Sequence, residues 1–173
     1  MVEDTLEVLI RSATVDDAAR IARVHVASWR EAYAGLVPAD YLAALDVDRR
    51  AEQWAAALAD VPRGASVWVA EEAGEVLGFA YLGPSRDEDA ERATMEIYSI
   101  YLEPAAWGRG VARELMRTVL ASLADGTTVT LWTLEGNERA SRFYRRHGFQ
   151  PDGVERLEEI GGEHLTEARY RRG

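Results

Sequence analysis

The chain has 173 residues, enough for one domain with its own hydrophobic core, and no stretch rich in Pro, Gly or Ser divides it. It contains no cysteine, which excludes disulfides, zinc–thiolate sites and thiol nucleophiles, and we predict no metal site. Its net charge of −10 disfavours nucleic acid or an anionic membrane as a partner and mildly favours a cationic substrate. Residues 1–7 lack a secretion signal and no apolar run is long enough to span a bilayer, so we expect a single cytoplasmic domain over residues 1–173.

Hydrophobic periodicity and turn residues divide the first half of the chain into short elements. The elements expected here, in order, are a strand over 6–11, a helix over 14–33, a helix over 38–58 and a hairpin of two strands over 66–71 and 76–82. Thr14, followed by two aspartates, is typical of a helix N-cap, and Pro38 suits a first helical turn. The acidic loop after Pro84 is predicted to be a solvated connection.

The second half alternates strands and helices before ending in a hairpin. The elements expected here are a strand ending near Leu102, a helix from the Gly108–Gly110 loop to Gly126, a strand over 127–133, a helix over 137–147 and two strands joined at 161–162. The element order β-α-α-β-β-β-α-β-α-β-β predicts an α/β (α+β) fold, with a mixed sheet and helices on both faces.

The segment 96–113, E-I-Y-S-I-Y-L-E-P-A-A-W-G-R-G-V-A-R, joins a strand to a helix through a loop suited to a pyrophosphate. Gly108 and Gly110 let a ligand approach the backbone, and the amides of residues 109–113 lie at an uncapped helix start. The complete P-loop signature is absent, because the chain has no lysine, and so is the complete dinucleotide signature. On the loop alone, some other nucleotide-binding module remains an alternative.

A second segment, N-E-R-A-S-R-F-Y-R-R-H-G-F over residues 137–149, narrows the choice. Together the two segments resemble the GNAT superfamily of N-acetyltransferases, whose signature pairs [QR]-x-x-G-x-[GA] with N-x-x-A-x-x-F-Y-x-x-x-G-F. Gly110 and Ala112 fit this pattern, whereas Trp107 stands where the family has Gln or Arg. The resemblance implies a mostly antiparallel sheet of six to seven strands. It also implies acetyl-CoA as cosubstrate and transfer of its acetyl group to a primary amine, by direct attack in a ternary complex.

The same resemblance implies where acetyl-CoA binds. Its pyrophosphate is expected on the glycine loop, and its amide-rich pantetheine arm along the open edge of the preceding strand. The amide of Ile100 would then stabilise the oxyanion, and Asn137 would anchor the cofactor or cap its helix. The predicted cofactor-binding residues are Ile100, Tyr101, Leu102, Gly108, Arg109, Gly110, Val111, Ala112, Arg113 and Asn137.

Acetyl transfer needs a base, because an alkyl amine is almost wholly protonated at pH 7. Glu96 is the predicted general base, since it precedes Ile100 by two strand alternations and should share its face. Pairing with an arginine is its structural alternative, and Glu135 is the reserve base. By the same family resemblance, Tyr144 is predicted to protonate the departing thiolate, its alternative being a buried core tyrosine.

The acceptor is expected to be a small-molecule or peptide amine. By resemblance, the segment joining the first two helices lines its site, so Trp29, Tyr33 and Trp132 are predicted to contact it together with Glu135. A homodimer, formed through the last strand, is left open. The alternative function is a non-catalytic acyl-CoA-binding sensor or interaction domain of the same fold.

Overall fold

Residues 7–173, which the computed structural model describes, form a seven-stranded sheet with helices on both faces. The strands are β1 (Leu9–Ser12), β2 (Ser66–Glu72), β3 (Glu75–Pro84), β4 (Met95–Leu102), β5 (Val129–Leu134), β6 (Gln150–Ile160) and β7 (Glu163–Arg172). Their order in the sheet is β1-β2-β3-β4-β5-β7-β6, and every neighbouring pair is antiparallel except β4 with β5. This confirms the predicted mixed sheet of six to seven strands, although the part of the first strand expected at Leu6 lies outside the described residues.

The helices cover both faces of the sheet. They are α1 (Ala18–Ala32), α2 (Ala39–Ala43), α3 (Val47–Ala59), α4 (Val111–Ala121) and α5 (Glu138–Arg146). On one face, α1 and α3 bury Ile21 and Trp54 against β2 and β3. On the other, α4 and α5 bury Leu115 and Tyr144 in the largest core cluster. Within residues 7–173 no helix combines the length and the apolar character needed to cross a bilayer.

The single helix expected over 38–58 is two helices, so that prediction was wrong. Asp46 has an extended backbone, and its carboxylate accepts hydrogen bonds from the amides of Asp48 (2.9 Å) and Arg49 (3.2 Å). This N-cap satisfies amides that have no partner in the first turn and so starts α3 afresh. A short α2 is left to cover the end of β5, where Leu42 packs against Leu134.

The sheet opens between β4 and β5. These parallel strands are paired only at Met95 with Val129 and at Glu96 with Thr130. Beyond this point β4 remains paired with β3, while β5 remains paired with β7. The two inner edges therefore separate from Ile97 onward and leave a gap within the sheet.

A bulge in β4 changes which side chains face this gap. In its register against β3, β4 contains one extra residue at Tyr98. Because side chains alternate along a strand, one extra residue reverses the alternation beyond it. Ile97 and Ile100 accordingly pack in the same core cluster, and Glu96 projects to the opposite face. The prediction that Glu96 and Ile100 share a face was therefore wrong.

The last strand does not lie at an edge of the sheet. β7 is paired with β5 on one side and with β6 on the other. Its main chain therefore offers no free edge to a second copy, and the outer strand on that side is β6.

Candidate active site

A cavity of about 970 Å³ lies where β4 and β5 separate, and we call it the β4–β5 cleft. Its walls come from both strands, the loop after β4, the first turn of α4, α5 and the end of α1. The predicted site residues that line it are Tyr33, Ile100, Tyr101, Leu102, Gly108, Gly110, Val111, Ala112, Arg113, Trp132, Asn137 and Tyr144. The fold thus brings the two sequence motifs together around one opening.

The glycine loop presents open backbone to the cleft. Gly108 and Gly110 have φ angles of +76° and +83°, in the left-handed region that favours glycine, and there is no heavy atom within 4 Å of where a Cβ would lie. Gly110 is the N-cap of α4 but has no side chain to cap it, and the first helical bond runs from the Glu114 amide to the Gly110 carbonyl (3.2 Å). The amides of residues 111–113 precede that bond and have no helical acceptor. This arrangement fits an anionic phosphate group.

The charged side chains that line the β4–β5 cleft are arginines, and none of the described residues lining it is a carboxylate. This contrasts with the net charge of −10 of the whole protein. The cleft arginines are Arg113, Arg117, Arg139 and Arg146. Arg113 and Arg117 are four residues apart on α4, and Arg139 and Arg146 are seven apart on α5, so each pair shares one helix face. Only Arg113 was predicted, although this spacing was visible in the sequence. Such a concentration of positive charge favours a polyanionic ligand.

Four predicted site residues do not line the cleft, namely Arg109, Glu135, Trp29 and Glu96. The guanidinium of Arg109 pairs with Glu72 at the end of β2, at 2.6 Å, so only its main chain remains in the loop. Glu135 lines a separate and smaller pocket of about 380 Å³ with Leu36 and His164.

Trp29 supports the cleft wall instead of lining it. Its ring meets Tyr33 edge-on, with ring centroids 4.8 Å apart, and Tyr33 faces the cleft. The indole nitrogen of Trp29 is buried and has no hydrogen-bond partner within residues 7–173. Trp29 thus packs behind Tyr33 at the cleft wall.

Glu96 is buried and paired. One carboxylate oxygen accepts from the main-chain amide of Arg86 (3.0 Å) and the other from its guanidinium (2.8 Å). Glu96 does not line the cleft. This is the arginine pairing that was its structural alternative, and its role as general base stays a prediction.

Tyr144 is buried at the inner wall of the cleft. Burial raises its pKa, the Tyr101 hydroxyl adds to that rise, and the positive charge of Arg139 opposes it. Burial likewise raises the pKa of Tyr33, with contributions from the hydroxyls of Tyr101 and Tyr144. The phenol of Tyr144 therefore retains its proton at neutral pH and can donate it.

Glu167, on β7, is a carboxylate that does not line the cleft and that the sequence did not reveal, because it belongs to neither motif. It pairs across the sheet with Leu134, and its carboxylate accepts from the Nε of Arg156 at 3.2 Å. Burial raises the pKa of Glu167, Arg156 opposes this, and the charges of Glu158 and Glu96 reinforce it. The charge of Glu167 is in turn felt by the cleft residue Tyr33.

Most side chains of the loop after β3 are exposed, as predicted for a solvated connection, but two of its aspartates attach it to the sheet. Asp87 accepts a hydrogen bond from the indole of Trp132 at 3.0 Å. The buried Arg169 pairs with Asp87 (3.3 Å), Asp89 (2.6 Å) and Asp152 (2.7 Å). These bonds hold Trp132 in place at the cleft.

Comparisons with known proteins agree with this geometry. Residues 26–149 match the sequence profile described as the Acetyltransferase (GNAT) family. The chain is 34% identical over 165 residues to the uncharacterized N-acetyltransferase YuaI of Bacillus subtilis (strain 168), covering 89% of this chain and 91% of that protein.

Solved structures share the fold. An N-acetyltransferase from Staphylococcus aureus Mu50 is 25% identical, with a TM-score of 0.71, over 95% of this chain and 97% of that one. The structure of yncA from Salmonella typhimurium, solved with its cofactor acetyl-CoA, is 24% identical, with a TM-score of 0.70, over 95% of this chain and 92% of that one. The extent of these matches and the two motifs meeting at one cleft lead to the same conclusion: the chain belongs to the acetyltransferase (GNAT) family.

Proposed function

We propose that the protein transfers the acetyl group of acetyl-CoA to a primary amine, by direct attack of the amine in a ternary complex. The observation that carries this proposal is the β4–β5 cleft, which is lined by arginines and open glycine backbone in a chain with a net charge of −10. A polyanionic cofactor is the ligand that such a cleft would favour. The relative yncA was solved with acetyl-CoA, which supports the same cofactor here.

The phosphate end of the cofactor would lie on the glycine loop. The amides of residues 111–113 and the side chains of Arg113 and Arg117 would bind its pyrophosphate. Asn137 uses its side-chain oxygen to cap α5, accepting from the amide of Ala140 at 3.4 Å, which leaves its amide nitrogen free to bind the cofactor.

The thioester would lie beside β4 in the gap. The carbonyl of Leu102 faces the cleft side, because it accepts from the indole of Trp107 at 3.2 Å. Main-chain groups two residues apart on a strand point the same way, so the amide of Ile100 also points into the gap. That amide is the proposed donor to the carbonyl oxygen as negative charge develops on it.

Transfer then needs two proton movements. The amine nitrogen attacks the carbonyl carbon, the carbon–sulfur bond breaks, and the thiolate takes a proton from the hydroxyl of Tyr144. The raised pKa keeps the hydroxyl protonated at neutral pH, as a proton donor must be, but it also makes donation to a thiolate more uphill than from an ordinary tyrosine. Such a positioned acid contributes about 10²- to 10⁴-fold in rate.

Two carboxylates compete to take the proton from the amine. Glu96 was the sequence prediction, but Arg86 binds both of its oxygens, so Arg86 must withdraw before Glu96 can act. Glu167 accepts one hydrogen bond, from Arg156, and its raised pKa makes it a stronger base than an ordinary glutamate. Neither carboxylate lines the cleft, but the charge of Glu167 acts on the cleft residue Tyr33, so we propose Glu167 as the base, with Glu96 as its direct competitor.

The first experiment is calorimetric titration with CoA, ATP and NAD, followed by a thiol-release assay with acetyl-CoA and a panel of primary amines. We expect binding of CoA well above that of ATP or NAD, and acetyl-CoA-dependent thiol release with at least one amine. A preference for ATP or NAD would contradict the proposal.

A further inference from the structure

Arg139 and Trp107 form a contact across the β4–β5 cleft. The guanidinium carbon of Arg139 lies 3.2 Å from the centroid of the Trp107 ring. Trp107 belongs to the loop that follows β4, whereas Arg139 is in the first turn of α5, and both line the cleft. This stacked pair therefore joins two walls of the cleft that come from separate motifs.

The stacking geometry leaves the edges of the guanidinium available. A guanidinium has five donors in its plane, and stacking on an aromatic ring uses only its face. Within residues 7–173, Arg139 makes no ion pair and no hydrogen bond, although acidic residues outnumber arginines in the chain by 30 to 20. An arginine that is held in place without a carboxylate is prepared for an anionic ligand.

Trp107 is itself fixed. Its indole nitrogen donates to the carbonyl of Leu102 at the end of β4, at 3.2 Å, which sets the orientation of the ring face that Arg139 covers. Trp107 occupies the one loop position at which the chain departs from the [QR]-x-x-G-x-[GA] pattern. The loop therefore lacks the Gln or Arg side chain of the family pattern. The guanidinium of Arg139, from α5, lies against the Trp107 ring that stands in its place.

We propose that Trp107 positions Arg139 to bind the pyrophosphate of the cofactor, so that α5 supplies the polar contact that the loop has lost. This inference rests on the proposed function, because it concerns the same cleft and the same ligand. Arg139 is the binding residue, and Trp107 is a positioning residue that acts through it. The ligand group is a pyrophosphate esterified at both ends, as in coenzyme A, and it is separate from the thioester.

The test is calorimetric titration of the whole chain with CoA, dephospho-CoA and pantetheine. We expect Arg139→Ala to weaken the binding of CoA and dephospho-CoA by about tenfold or more, because charge-assisted hydrogen bonds to phosphate are lost. The affinity for pantetheine, which has no phosphate, should not change. A loss with CoA alone would place Arg139 on the 3′-phosphate and overturn the pyrophosphate assignment.

Two further variants separate binding from positioning. Arg142→Ala is the matched control, since Arg142 is exposed on the next turn of α5 and does not line the cleft. It should leave every affinity within about twofold, as is usual for a surface site. Trp107→Leu should weaken CoA binding in the parent background but add little to Arg139→Ala, because both changes remove the same contact.

The outcomes distinguish this inference from the function on which it rests. A parent protein that fails to bind CoA would refute both. Normal CoA binding that Arg139→Ala leaves within twofold of the parent would refute the Arg139 assignment alone. Fully additive effects of Trp107→Leu and Arg139→Ala would show that Trp107 does not act through Arg139.

Discussion

Arg86 occupies both carboxylate oxygens of Glu96, one through its main-chain amide at 3.0 Å and the other through its guanidinium at 2.8 Å. The side chain of Glu96 is 2% exposed, whereas that of Arg86 is 62% exposed, so the arginine lies between the carboxylate and solvent. The pair anchors the loop after β3 to the last residue of β4 that pairs with β5. Because Arg86 binds both of its oxygens and covers it from solvent, the carboxylate of Glu96 is poorly placed to contact an amine.

Glu96→Gln and Glu167→Gln should therefore have different effects. We expect Glu167→Gln to slow transfer to the best amine by at least about tenfold at unchanged CoA affinity, because it removes the proton acceptor. Glu96→Gln should mainly lower the free energy of unfolding, by about 1–2 kcal/mol, since a buried charge-assisted pair is lost. Steady-state rates and denaturant unfolding measure the two effects. The reverse pattern would return the base role to Glu96.

The rate should also depend on pH through Glu167. Because burial raises the pKa of Glu167, its carboxylate is protonated at pH values where an ordinary glutamate is still ionised. A base must be unprotonated to act. As the pH is lowered, the rate should therefore begin to fall at a higher pH than it would if the base were an ordinary glutamate. This acidic limb should be absent from the pH profile of Glu167→Gln. An unchanged limb in the variant would assign the titration to another group.

Tyr144→Phe should separate chemistry from binding. We expect transfer to slow by about 100-fold, because the departing thiolate loses its proton donor, while CoA affinity remains within twofold. Tyr170→Phe is a matched control: this tyrosine is also buried, with its ring centroid 6.2 Å from that of Tyr144, but it does not line the cleft. Equal rates for Tyr144→Phe and the parent would leave Tyr144 with a packing role only.

Gly110→Ala should weaken CoA binding more than its effect on stability would suggest. Gly110 and Gly126 have almost the same backbone conformation, with φ of +83° and +79°, and neither has an atom near the site of a Cβ. Alanine at either position should therefore cost about 1–2 kcal/mol of unfolding free energy. Only at Gly110 would the methyl group enter the proposed phosphate site. Equal CoA affinities in the two variants would contradict that placement.

His25 should make the protein less stable in mild acid. Burial lowers its pKa to about 3 in the folded state, and its Nδ1 accepts from the indole of Trp54 at 3.1 Å. Between pH 6.5 and 3 the unfolded chain thus binds a proton that the folded chain does not, so stability falls as pH falls. His25 should contribute about 2 kcal/mol to the loss between pH 7 and pH 5.

His25→Gln, which keeps an acceptor for Trp54, should remove that contribution. The exposed His164→Gln is the control and should retain the full pH dependence. Denaturant unfolding at pH 5 and pH 7 measures it. Equal pH dependence in His25→Gln and the parent would show that His25 is protonated in the folded state.

Local patterns in the sequence were sufficient for the sheet and for most of the cleft. Strand alternation and turn glycines mark the hairpins, and the two motifs place Gly110 and Tyr144 at one opening. The extra residue at Tyr98 was not visible, because a bulge is defined by pairing with β3, which lies far away along the chain. Because of that extra residue, Glu96 and Ile100 lie on opposite faces of β4.

The contacts that the sequence could not reveal are those between distant segments. Trp132 and Asp87 are 45 positions apart, and their hydrogen bond attaches the loop after β3 to a residue that lines the cleft. Glu167 follows the last motif and acquires its raised pKa from burial and from neighbours on other strands. Such effects depend on tertiary packing, which neither periodicity nor motif spacing encodes.

A crystal structure with bound CoA tests the proposed cofactor site most directly. We expect its pyrophosphate within hydrogen-bonding distance of the amides of residues 111–113 and of Arg139, with the pantetheine arm in the gap between β4 and β5. A pyrophosphate bound elsewhere, or strands β4 and β5 paired along their whole length with no room for the arm, would contradict it.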